Sequence, residues 1–149
     1  AMHVLRAEKG YIIVGQETDG SVTPVDLDMN WIVSKKKYDF IGKRALVRSD
    51  TVKEDRKQLV GILTVDPAVV LEEGSQLVEV ETSLPMPMIG HITSSYYSPN
   101  LGRSIALALV KSGTKKEGVK LIVPTVNTSV EFEISNPVFI DPKNERLLA

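Results

Sequence analysis

The sequence predicts an α+β chain that is mainly β, with a helix-bearing segment over residues 1–56 followed by a small antiparallel β-barrel over residues 57–149. Three observations predict it. From Gln58 onward, short apolar or alternating runs recur between Gly, Pro and Asn signals, with no 3.6-residue period among them. Before that point, Thr23-Pro24 and Asp39-Phe40 each place a capping side chain ahead of a run that can turn helical. Between the two regimes lies SDTVKEDRK, a charged linker.

Taken in order, His3 to Lys9 holds good helix formers and ends at Gly10, which suits the left-handed position that closes a helix. A helix that begins at the first residue has no cap of its own, so the stretch reads as the last turns of a longer helix and the chain as a fragment. Tyr11 to Val14 is short and apolar, and QETDGS after Val14-Gly15 supplies a polar turn. Thr23 is placed to cap a short helix over Pro24 to Asp28, with Asp26 near the positive end of its dipole. Trp31 to Ser34 reads as a strand, and Asp39 as the cap of a second helix from Phe40 to Arg48. The barrel strands are expected at Gln58 to Val65, Ser75 to Glu81, Ile89 to Tyr97, Ser104 to Lys111, Lys120 to Val126 and Val130 to Ser135. Strands so short are best protected by closing the sheet on itself, which removes exposed edges. Val119 to Glu133 reads as a hairpin turning near Asn127-Thr128, and Val138 to Ile140 as a last short strand.

Composition narrows the function classes. With 42% hydrophobic and 25% charged residues in 149, the chain is of ordinary globular make-up. Residues 1–57 carry 11 basic and 9 acidic side chains and the remainder 7 and 10, so neither half is a polyelectrolyte. The basic clusters Lys35-Lys36-Lys37 and Lys115-Lys116 are too small to form a nucleic-acid face. No apolar run approaches the ~20 residues that span a bilayer, and no apolar signal core follows Ala1-Met2, so a cytoplasmic location without membrane contact is expected. The absence of cysteine removes disulfides and thiolate chemistry. His3 and His91 are 88 positions apart, with no HExxH-type spacing, and no metal site is expected. Neither a GxxxxGK[ST] loop nor a GxGxxG after a strand is present.

Several residues invite chemistry and are better read as structure. Trp31, the one tryptophan, reads as a core or inter-domain anchor, since a lone tryptophan in an apolar run usually buries its ring. Strict alternation puts His91, Thr93, Ser95 and Tyr97 on one strand face and Ile92, Ser94 and Tyr96 on the other; a Ser-His pair without an orienting third group is no triad. Glu72-Glu73, Glu79 and Glu81 read as solvent-facing charge, and Met86 and Met88 as fillers of irregular space.

Five stretches carry a resemblance: LRAEKGY from Leu5, TDGSVTP from Thr18, MNWIVSK from Met29, DFIGKRAL from Asp39 and GHITSSYYSPNLGRSIALALV from Gly90. Together they resemble the folate-binding aminomethyltransferase family, the glycine-cleavage T-protein and its relatives. Within it the wording is closest to the branch formed by the C-terminal ends of heterotetrameric sarcosine oxidase alpha subunits. The resemblance implies that residues 5–46 end the family's folate-binding domain and that 57–141 are its C-terminal barrel. It implies a parent enzyme of one-carbon metabolism that oxidises sarcosine at a flavin and passes the imine to tetrahydrofolate, giving glycine, methylenetetrahydrofolate and hydrogen peroxide. FAD, FMN and NAD would bind in parts outside this sequence, and the partners would be further subunits and upstream domains. No catalytic residue is expected here, and the chain by itself is expected to be inactive and to hold no cofactor tightly. By the same resemblance Arg6 lies at the folate site, with Glu8, Tyr11 and Val14 as pocket neighbours. Val14 marks a departure, because many T-proteins read YxLYG where this chain reads YIIVG, and a tyrosine often lines the pocket there. A stand-alone aminomethyltransferase, a dimethylglycine-dehydrogenase-like chain and a small-barrel binding module are the other readings.

Overall fold

The computed structural model describes residues 1–80, 84–126 and 128–148. Among the described residues the chain forms one α-helix, α1 (Met2–Glu8), three single 3-10 segments and six strands. The strands are β1 (Lys57–Thr64), β2 (Gln76–Leu77), β3 (Gly90–Ser98), β4 (Arg103–Lys111), β5 (Lys120–Pro124) and β6 (Ser129–Ser135). They make one antiparallel sheet in the order β2-β3-β4-β1-β6-β5. Its two edges meet: Val78, one residue past β2, and Ile122 of β5 exchange N–H to carbonyl bonds of 3.1 and 3.2 Å. That pair closes the sheet into a barrel.

β4 explains why its sequence shows no alternation. Ala106, Ala108 and Val110 point into the barrel with Ile62, Ile92, Phe132 and Ile134. Leu107 and Leu109 point outward and are buried too, under Leu27 and beside Ile12, Val22, Met29 and Phe139. The N-terminal segment and the residues after β6 thus cover the outer face of β1 and β4, and a strand buried on both faces reads as a continuous apolar run. The Asp26–Arg56 pair pins the segment at the start of the barrel: Arg56 Nη2 lies 2.6 Å from Oδ2 and its Nε 2.9 Å from Oδ1. Burial alone would raise the Asp26 carboxyl, and the Arg56 and Thr23 hydrogen bonds outweigh it and leave it below its ordinary value.

α1 ends as the sequence predicts. Gly10 takes φ +71°, its N–H bonds the Ala7 carbonyl at 3.0 Å and Tyr11 N–H bonds the Arg6 carbonyl at 2.8 Å, which is the Schellman pair. The expected strand at Val138 to Ile140 is absent. Phe139 and Ile140 instead donate their N–H groups to the Glu8 carbonyl, both at 2.9 Å, so the segment satisfies a helix end rather than a sheet edge.

Other elements depart from expectation for local reasons. Trp31 to Ser34 is not a strand: Ile32 and Val33 bond back to Met29 and Asn30 in a 3-10 turn over Asn30–Ile32, and none of the described strands pairs with it. Trp31 is 79% exposed and is not a core residue of this chain. Pro24 to Asp28 is a run of turns, and Asp26 rather than Thr23 does most of the capping, accepting Thr23 N–H and Oγ1 at 2.8 Å each. Asp28 at φ +55° stops it from extending. Phe40 to Arg48 shrinks to a 3-10 segment at Lys43–Val47, since Gly42 before it sits at φ +93°. The strand expected at Ser75 to Glu81 is paired over Gln76–Leu77 and the Val78 bridge, with Glu81 outside the described residues. The β5–β6 hairpin forms, closed by Thr125 N–H on the Thr128 carbonyl at 2.8 Å; Asn127 lies outside the described residues.

Candidate functional site

The site is made where α1 crosses the outer face of β3, and a bulge decides what that face presents. Ile92 pairs with Ala108 and Ser94 with Leu107, so Thr93 is an extra residue in the ladder. Ala108 belongs to the barrel interior and Leu107 to the outer cluster. Strict alternation from Ile92 would turn Ser94 and Tyr96 inward, whereas the extra residue turns them outward under α1. Thr93 is held by its hydroxyl, which donates to the Leu107 carbonyl at 3.0 Å.

Arg6 is the hub. Its Nη1 donates to Glu17 Oε2 at 3.0 Å and to the Tyr11 carbonyl at 3.2 Å. Its Nη2 reaches Ser94 Oγ at 2.5 Å, Gln16 Oε1 at 3.2 Å and Tyr96 OH at 3.2 Å. The guanidinium carbon also lies 5.6 Å from the Tyr96 ring centre, a cation–π distance, and His3 stacks on the same ring. Nε is buried without a partner.

Glu17 is fully buried, with 0% exposure. Besides Arg6 it accepts the Ile13 N–H at 2.7 Å and the Ser94 hydroxyl at 2.5 Å. Burial alone would raise its carboxyl, and the Ser94 and Ile13 bonds with the Arg6 charge outweigh it, so the group sits below its ordinary range and stays ionised. The charge of Arg6 is therefore compensated inside the protein.

Of the residues that the sequence singles out, Arg6 and Glu8 share α1 but not one pocket. Glu8 is buried at 3% and holds the turn after β3, accepting Ser98 Oγ at 2.5 Å and Asn100 Nδ2 at 2.9 and 3.1 Å. Tyr11 and Val14 are exposed at 58% and 86% on the turn that Arg6 and Glu17 tie down. A cavity of about 750 Å³ lies beside Tyr11 between α1 and the residues after β6, walled mainly by Met2, Leu5, Tyr11, Ile140 and Leu147, with Arg6, Lys9, Asp141 and Arg146 also in its lining. The size and apolar lining suit the flat aromatic body of a small ligand. The sequence reading did not identify Glu17, Gln16, Ser94 or Tyr96 as members of the site. Their signal is absent locally, since the first two sit in a polar turn and the others need the bulge.

Of the remaining candidates, Glu73 reaches the rim of this site, where its Oε2 accepts Gln16 Nε2 at 3.4 Å. His91 Nδ1 is 3.5 Å from Lys57 Nζ, and burial followed by the Lys57 charge lowers it below the ordinary imidazole value against a small opposing pull from Asp19. Glu79 pairs with Lys116 at the surface, Glu72 and Glu73 are exposed, and Glu81 lies outside the described residues. Among the described residues no cluster of His, Cys, Asp and Glu could hold a metal, and no helix is long and apolar enough to cross a membrane.

Residues 57–141 match the glycine cleavage T-protein C-terminal barrel domain, and residues 1–37 match the GCVT N-terminal domain. The chain belongs to the glycine cleavage T-protein family. This T-protein-family chain is 53% identical over 148 residues to sarcosine oxidase subunit alpha of Corynebacterium sp. (strain P-1), a match covering 97% of the chain and 15% of that protein. It is 49% identical over 148 residues, with the same coverage, to sarcosine oxidase subunit alpha of Corynebacterium sp. (strain U-96). The chain thus spans about 15% of the length of these curated relatives. The crystal structure of glycine cleavage system aminomethyltransferase T from Bartonella henselae matches with a TM-score of 0.79 at 22% identity, covering 94% of this chain and 38% of that one. That likeness establishes the fold.

Proposed function

We propose that this chain is the folate-side C-terminal part of a sarcosine oxidase alpha subunit, supporting transfer of the one-carbon unit of oxidised sarcosine to tetrahydrofolate. The observation that carries the reading is the 53% identity to such a subunit over 97% of the chain. A flavin bound elsewhere in the parent would supply the oxidation of sarcosine to an imine. With dioxygen taking the two electrons from the flavin, the products would be glycine, methylenetetrahydrofolate and hydrogen peroxide. By the same reading FAD, FMN and NAD would bind in parts outside this sequence.

What this chain contributes is a wall of the folate site. Met2, Leu5 and Tyr11 supply apolar and aromatic surface, and Arg6, Lys9 and Arg146 are the basic residues of the same lining. Val14 is exposed on the same turn but outside the cavity lining, and we place it at the margin of the wall. By this reading the isolated chain binds folate weakly, because a folate pocket closes around segments that lie outside it.

The test is product partition in the parent protein. Arg6→Ala should raise free formaldehyde per peroxide formed and lower methylenetetrahydrofolate at limiting folate. Because Arg6 directs its hydrogen bonds to Glu17, Ser94, Gln16, Tyr96 and the Tyr11 carbonyl, its loss should act on folate through the wall it holds in place, with roughly a tenfold weaker hold, the equivalent of about 1.4 kcal/mol. A parent whose formaldehyde yield ignores folate would overturn the proposed function, and one that forms no peroxide from sarcosine would return the aminomethyltransferase reading.

A further inference from the structure

We infer that Glu17 is a positioning residue for the folate-side wall, fixing the Arg6 guanidinium and the exposed turn that carries Tyr11 and Val14. The inference rests on the function proposed above. It is carried by a geometry in which every oxygen of one buried carboxylate is used. Oε1 accepts the Ser94 hydroxyl at 2.5 Å, and Oε2 accepts Ile13 N–H at 2.7 Å and Arg6 Nη1 at 3.0 Å. Ile13 stands between Tyr11 and Val14, so the carboxylate holds the middle of that turn directly. It holds the turn's start through Arg6, whose Nη1 bonds the Tyr11 carbonyl at 3.2 Å.

The arrangement is not what stability alone would select. A buried ion pair gains little over an apolar pair of the same volume, because desolvation offsets attraction. It gains direction instead, since five acceptors around the two terminal nitrogens leave the guanidinium plane one orientation. Arg6 is among the residues that line the 750 Å³ cavity, with Tyr11 and Leu5. Without Glu17 the same arginine would be a buried, uncompensated charge and would leave its place for water.

The experiment compares Glu17→Gln with the paired replacement Arg6→Met/Glu17→Met in the parent protein, reading thermal stability and the folate concentration for half-maximal capture of the one-carbon unit. Glu17→Gln keeps the shape and removes the charge. It should raise that concentration roughly tenfold, the equivalent of about 1.4 kcal/mol, while capture at saturating folate reaches the wild-type maximum. The paired replacement should recover most of the melting temperature lost by Glu17→Gln and should not recover the folate dependence. Glu17→Gln with wild-type half-saturation, or a paired replacement that restores it, would overturn the inference and leave the pair a matter of stability. Wild-type protein that shows no folate-dependent capture at all would instead overturn the proposed function, and this inference with it.

Discussion

Ser94 Oγ and Glu17 Oε1 meet at 2.5 Å although 77 positions separate them, and this contact ties the turn after α1 to the third strand of the barrel. The same hydroxyl accepts Arg6 Nη2, so one serine serves both members of a buried ion pair.

Ser94→Ala removes that hydroxyl and leaves the ion pair in place. An unsatisfied oxygen on a buried carboxylate costs about 1–3 kcal/mol, so the midpoint of a denaturant melt should fall with its slope unchanged. An unmoved midpoint would mean that water replaces the hydroxyl without loss.

Acid should weaken the fold in two steps. Glu17 is depressed in the folded state, so its stabilisation is complete above the unfolded value of about 4.3 and is lost as pH falls through the lower folded value. His91 is also depressed, and below about pH 6.5 the unfolded chain binds the extra proton first, so stability declines from there down to the folded value and then levels. Melting temperature against pH should lose its upper step in His91→Gln and part of its lower step, which the depressed Asp26 carboxyl shares, in Glu17→Gln. Retention of the upper step in His91→Gln would assign it to another group.

Gly10 and Gly15 both have positive φ but differ in surroundings, which separates conformation from packing. A Cβ on Gly10 would stand 2.7 Å from the Pro137 carbonyl oxygen, while one on Gly15 meets nothing within 4 Å. Gly15→Ala should cost about 1–2 kcal/mol for the left-handed backbone alone. Gly10→Ala should cost clearly more, because α1 must also separate from the segment that caps it. Equal losses in thermal melts would show that this segment moves aside freely.

We propose that residues 57–149 form an autonomous barrel domain and that residues 1–56 are held less firmly. Within the latter, residues 30–52 bond mainly to carbonyls three or four positions back and leave Trp31, Tyr38 and Ile41 exposed. Hydrogen exchange should be fastest in 30–52 and slowest in β4. Protection in 30–52 equal to that of β4 would make the chain one cooperative unit.

The sequence by itself determined the elements whose causes are local. Gly10 closes α1 because a left-handed residue is needed there and glycine takes it without cost. The barrel strands fall within a residue or two of their apolar runs, apart from the short β2, because burial on the barrel side dictates period and composition alike. Arg6 stands out in the sequence only through the wording of LRAEKGY. Tertiary structure alone decided what Arg6 touches. One unpaired residue at Thr93 turns Ser94 and Tyr96 from the barrel interior to α1, and strand alternation has no means of announcing it. Glu17 reads as one more polar residue in a turn until Ser94, Arg6 and Ile13 close around it, and its burial follows from contacts made across the whole chain. Trp31 shows the converse: an apolar run read as a strand stays a solvent-facing turn, because a strand needs a neighbour to pair with and none of the described strands pairs with it.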